Sequence, residues 1–158
     1  MGMELFKLSA GVDILGIPYK GDGLIASALM AGEVDVAVVS LPTTLHHIRE
    51  GRMRVLGVTS AKRSAALPDV PTIMESGVDM EHVGWYGLFA PAKTPRAIVE
   101  RIQQEAAKTL VVPDVRGRIL GNVLEPVGST PDDFETRYRM DLVKYARIVR
   151  EGRIPLQN

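Results

Sequence analysis

Three short apolar runs alternate with short helical patterns, and this alternation constrains the fold more than any other feature of the chain. The runs are DILGIPY (13–19), VDVAVVS (34–40) and MRVLGVTS (53–60). Between the first two, GLIASALMAGE sets Leu24, Ile25, Ala28 and Leu29 at helical spacing, and Gly32 stands where a helix stops. Between the second and third, PTTLHHIREGR opens with Pro42 in a first turn and ends at Gly51. Val34, Val36, Val38 and Val39 make the middle run nearly continuous, a pattern that predicts burial on both faces of a parallel sheet. The order βαβαβ with short loops predicts an open α/β sheet.

The rest of the chain changes character. AKRSAALPDVPTIMESGVDM (61–80) reads as a surface excursion with one short helix over Thr72–Ser76. EHVGWYGLFAP (81–91) reads as a longer strand. Thr94-Pro95 opens a helix that runs to about Leu110, with Ile98, Ile102, Ala106 and Leu110 in one stripe. PDVRGRIL predicts a second helix and LEPVG a brief strand. Ser129 or Thr130 caps a third helix with Pro131 just inside, its apolar face formed by Phe134, Tyr138, Leu142, Tyr145 and Val149.

Composition removes several function classes. The 19 basic and 19 acidic residues cancel, and no basic run exceeds two residues, so the footprint of a nucleic-acid binder is missing. With no cysteine, disulfides, thiolate-bound zinc and thiol catalysis are excluded. No apolar stretch approaches the roughly 20 residues of a membrane helix, and MGMELFKLSAGVD has no signal-peptide core.

Chemistry concentrates at two strand-to-helix loops. In an open parallel sheet, ligands bind outside the carboxyl ends of the strands. The first such end is Tyr19-Lys20-Gly21-Asp22-Gly23. Gly21 and Gly23 allow close backbone approach, the amides opening the next helix can hold an anion, Lys20 adds positive charge and Tyr19 a wall with a hydroxyl. The second is Ser40-Leu41-Pro42-Thr43-Thr44, with hydroxyls and another helix start. Tyr19, Lys20, Gly21, Gly23, Ser40 and Thr43 are therefore the candidate ligand-binding residues, for a small carboxylate. The same residues also serve ordinary turn and cap chemistry, and spacing alone does not separate the two readings.

Other constellations are weaker. His46-His47 are adjacent on a helix and diverge, a poor chelate, and His82 is distant in sequence. Neither GxxxxGK[ST] nor GxGxxG nor GxSxG occurs. Asp132-Asp133 fits the start of a helix, where carboxylates complement the dipole. Trp85-Tyr86 fits core packing. No nucleophile–base pair, metal set or cofactor fingerprint is present, so the reading is non-enzymatic, with no cofactor and no metal.

Four stretches, in order, carry a resemblance: GVDILGIPYKGDG, AGEVDVAVVSLPTTLHHIREGRMRVLGVTSAKRSAALPDVPTIMESG, WYGLFAPAKTP and EPVGSTPDDF. Together they resemble the tripartite tricarboxylate transporter family receptors, the Bug-type periplasmic solute-binding proteins. The resemblance implies a type II periplasmic-binding-protein-like α/β fold with a parallel or mixed sheet. It implies a solute, a small carboxylate or amino acid, held in an interdomain cleft largely by backbone amides and water. It also implies delivery to membrane transporter subunits and a periplasmic location. The chain resembles only the C-terminal half of such a receptor, without the family's first-domain loop and without the glycine-serine loop that precedes the helix carrying ELFK. On this reading residues 1–88 form the second, ligand-cleft αβ domain, truncated at its start. Residues 89–158 form a helical segment that normally returns to the other domain. The stripes of that segment then need cover, and a homodimer, with exchanged C-terminal helices as one form, is the expected partner. The alternative is a truncated dimerisation or interaction module that keeps the fold but binds nothing.

Overall fold

The computed structural model describes residues 1–152 and 154. Among them are six helices: α1 (Gly2–Ala10), α2 (Asp22–Ala31), α3 (Leu41–Arg49), α4 (Arg96–Leu110), α5 (Pro113–Gly121) and α6 (Pro131–Glu151). The chain divides into two compact units, one joining Met1–Gly84 to Tyr145–Asn158, the other Trp85–Lys144. Of the segment 89–158 read as C-terminal and helical, Arg153 and residues 155–158 lie outside the described residues.

Helix limits follow local chemistry. α1 and α2 stop at Gly11 and Gly32, both left-handed with φ of 66° and 73°, a conformation that costs a side-chain-bearing residue about 1–2 kcal/mol. α3 starts from an extended Ser40 with Pro42 in its first turn, and Gly51 follows its end at φ 71°. At the head of α6, the Asp133 amide donates to Thr130 Oγ1 at 3.2 Å while the Thr130 hydroxyl donates to Asp133 Oδ2 at 2.6 Å. Thr130 is thus the cap: it satisfies the Asp133 amide, one of the orphan donors of the first turn, and the Asp133 carboxylate holds its hydroxyl in place.

None of the five runs expected as strands forms a ladder among the described residues. The β-pairing there is an isolated parallel bridge, Val58 with Thr72, in which the Val58 amide donates to the Pro71 carbonyl and the Ile73 amide to the Val58 carbonyl, both at 2.9 Å. Leu15, Val36 and Leu56 are 87%, 39% and 64% exposed, so burial on both faces is not realised at these positions. A β-branched run specifies an extended backbone with an apolar surface. It does not specify which neighbour completes the ladder.

The short helix expected over Thr72–Ser76 is a set of turns. The Thr72 amide donates to Glu75 Oε2 at 2.6 Å and the Glu75 amide to Thr72 Oγ1 at 3.0 Å. This is helix-start chemistry, but Gly77 takes φ 90° and ends it after one turn. The Arg63 guanidinium binds both Glu75 oxygens, and together with the Thr72 amide it holds the Glu75 carboxyl below its usual pKa.

In the first unit, the buried side chains are Ala26 and Ala28 of α2, Thr44 and Leu45 of α3, Thr72, Met80 and Ile148. The helical stripe expected on α2 is shifted: Leu24 is 55% exposed and the small alanines face inward, which brings α2 and α3 close. In the second unit, Trp85, Phe89, Phe134 and Tyr138 form a ring cluster, with Trp85 edge-on to Phe134 at 5.1 Å between centroids. Gly87 is required there, because a Cβ would collide with the Phe134 ring.

The face of α6 keeps Phe134, Tyr138 and Tyr145 of the expected stripe in contact and departs from it at Leu142. Leu142 is 52% exposed, and Asp141 and Ile148 take inward positions at 6% and 2%. Asp141 is buried because it is satisfied: the Trp85 indole donates to its Oδ2 at 2.6 Å and the Arg137 Nε at 3.1 Å. Burial pushes the Asp141 pKa up, but the indole and guanidinium outweigh it and hold the carboxyl below its usual value.

Candidate functional site

The loop from Tyr19 to Gly23 ends where α2 begins. Tyr19 is half-buried, whereas Lys20, Gly21 and Gly23 are exposed. Gly21 precedes the first residue of α2 with φ 101°, a conformation that favours glycine. No atom lies within 4 Å of the position a Cβ would take at Gly21 or Gly23, so the backbone is open there. The amides of Gly23 and Leu24 have no acceptor among the described residues, as expected of the first turn of a helix. Lys20 has no ion-pair partner among the described residues.

The loop from Ser40 to Thr44 is joined to this one directly. The Ser40 amide donates to Asp22 Oδ2 at 3.2 Å, across 18 residues of sequence. The structure therefore brings Tyr19–Gly23 and Ser40–Thr44 side by side in one unit. The two helix starts are not equivalent, however. At α3 the Ser40 amide is taken by Asp22, Pro42 has no N–H, and the Thr43 amide turns back to the Ser40 carbonyl at 3.2 Å. What α3 offers, besides the Leu41 amide, is hydroxyl chemistry. Ser40 Oγ and Thr43 Oγ1 are 3.0 Å apart, and because one donates to the other, one hydroxyl proton of the pair remains for an outside acceptor. The Thr44 hydroxyl is buried and donates to the Ser40 carbonyl at 3.2 Å. Among the described residues, unpaired amides therefore lie at both helix starts, with the Lys20 ammonium on the α2 side and the spare hydroxyl proton on the α3 side.

Sequence reasoning passes over Asp22, because an aspartate between glycines after an apolar run reads as ordinary turn chemistry. The signal that can find it is the short distance between the two loops that a βαβ order imposes.

The remaining candidates find ordinary partners. His46 Nε2 lies 3.1 Å from Glu50, and His47 Nδ1 3.5 Å from an Arg52 nitrogen. His82 Nδ1 is 3.3 Å from the Tyr145 hydroxyl. No group of three metal-ligating side chains occurs among the described residues. Asp132 takes both terminal nitrogens of Arg96 at 2.8 and 2.9 Å, which lowers its pKa and raises that of Arg96. No described helix is long and apolar enough to cross a membrane.

Known proteins bear on this arrangement. The chain is 34% identical over 156 residues to the UPF0065 protein in the tcbD-tcbE intergenic region of Pseudomonas sp. (strain P51), a match covering 98% of this chain and 46% of that protein. Among solved structures it resembles R. palustris Rpa4515 with adipate, with a TM-score of 0.84 at 30% identity, over 96% of this chain and 51% of that one. It also resembles the periplasmic binding protein BugD, with a TM-score of 0.81 at 27% identity, over 98% of this chain and 53% of that one. The chain spans about half the length of these relatives. The family match itself runs over residues 1–153, nearly the whole sequence. The chain belongs to the tripartite tricarboxylate transporter family of receptors.

Proposed function

We propose that this chain forms one wall of a periplasmic solute receptor that binds a small carboxylate or amino acid and passes it to membrane transporter subunits. The observation that carries the reading is the Asp22–Ser40 hydrogen bond, which sets the amides of α2 and the Ser40–Thr43 hydroxyl pair beside each other. The amides, the spare hydroxyl proton and the ammonium, unpaired among the described residues, are donors, and they suit an acceptor-rich, negatively charged group. Tyr19, Lys20, Gly21, Gly23, Ser40 and Thr43 are the residues assigned to the solute. The α/β sheet of the family is taken to underlie the runs at 13–19, 34–40 and 53–60, with the loops at their carboxyl ends. The role is binding without turnover, and it needs no cofactor.

A dicarboxylate is a suitable first solute, since one structural relative was solved with adipate. Titration calorimetry with adipate, citrate, glutamate, nicotinate and terephthalate tests the proposal. At least one is expected to bind, and Lys20→Ala is expected to weaken that affinity about tenfold, or about 1.4 kcal/mol. Silence across the panel overturns the receptor reading for this chain and leaves the non-binding module.

A further inference from the structure

We infer that Asp22 is a positioning residue for the solute-binding loops, a role that rests on the receptor reading above. Its carboxylate accepts the Ser40 amide at 3.2 Å from a residue 18 positions away. α3 has no side-chain cap of its own, so this contact from a neighbouring helix stands in for one. The Ser40–Thr43 hydroxyl pair and the Ser40 carbonyl, which serves both the Thr43 amide and the Thr44 hydroxyl, are all attached to the residue that Asp22 holds. The carboxylate also sits in the first turn of α2, where the helix dipole favours its charge. One side chain thus fixes the distance between the donors of the two loops. It does so through an amide–carboxylate bond, not through apolar packing, and its loss should loosen the Ser40 segment without unfolding the unit.

The test pairs hydrogen exchange at the Ser40 amide with adipate calorimetry, on wild type, Asp22→Ala, Asp22→Ser and Asp22→Asn. Alanine has no acceptor and serine is too short to reach Ser40. Both should speed Ser40 exchange about tenfold and weaken adipate binding about tenfold, with exchange at Ala26 and Leu45 unchanged. Asparagine keeps an acceptor and should recover most of both losses. Unchanged Ser40 exchange in the alanine and serine variants, with adipate still bound, overturns the role of Asp22 and leaves the receptor reading intact. If wild type binds none of adipate, citrate, glutamate, nicotinate and terephthalate while Ser40 exchange responds as expected, the receptor reading falls and this role falls with it; if another of the five binds in place of adipate, that solute takes its place in the calorimetry.

Discussion

Two glycines in one loop show how far single residues were legible. The PYKGDG stretch announces a turn between an apolar run and a helix, and Gly21 does take φ 101°. Gly23 lies one residue inside α2 with ordinary backbone angles and open space around it. Substitution should separate them. Gly21→Ala is expected to destabilise by about 1–3 kcal/mol through backbone strain alone, since nothing crowds its Cβ. Gly23→Ala is expected to be neutral or to stabilise by a few tenths of a kcal/mol, because alanine is the better helix former. Urea denaturation of the two variants measures the difference, and equal stabilities would refute it. Asp22, between them, was not legible, because its partner Ser40 is fixed by the packing of α2 on α3 and not by local sequence.

Helix positions were read well and helix faces less well. Pro42, Pro113, Thr130-Pro131, Gly32 and Gly51 mark the ends of their helices in sequence and in structure. The inward face of α6 follows the apolar stripe at Phe134, Tyr138 and Tyr145 and departs from it by taking in an aspartate. Asp141 is inward because the indole of Trp85 and the guanidinium of Arg137 satisfy it. Its pKa is depressed in the folded state, so its contribution is complete above the unfolded carboxyl pKa of about 3.9 and is lost as pH falls through the lower folded value. Asp141→Asn should therefore cost about 2 kcal/mol at pH 7, the order expected for a charged hydrogen bond. The gap to wild type should close as the pH falls below about 4. Thermal melts of both proteins from pH 7 to pH 3 check this, and a gap that does not vary with pH would contradict it. The expected strands form no ladder among the described residues, for a different reason. Pairing is a property of two segments, and the alternation of β-branched residues describes only one at a time.

At the scale of the molecule, the apolar surface is large for what is buried. Among the described residues five apolar side chains are buried, whereas Ile98, Ile102, Leu142 and Val143 are 50%, 47%, 52% and 73% exposed. Soluble monomers seldom leave such stripes uncovered. We propose that a second copy covers them, with exchanged C-terminal helices as one form of the dimer. Light scattering should then give a two-chain mass, and a monodisperse one-chain mass would remove the proposal. The hydrogen bond from Trp85 to Asp141 has a practical consequence. Trp85 is the chain's sole tryptophan, and its neighbours Phe89, Phe134, Tyr138 and Asp141 all lie between residues 85 and 144. Its emission therefore samples that unit alone, whereas far-ultraviolet circular dichroism sums the helices of both. Midpoints from the two signals will agree only if both units melt in a single cooperative step.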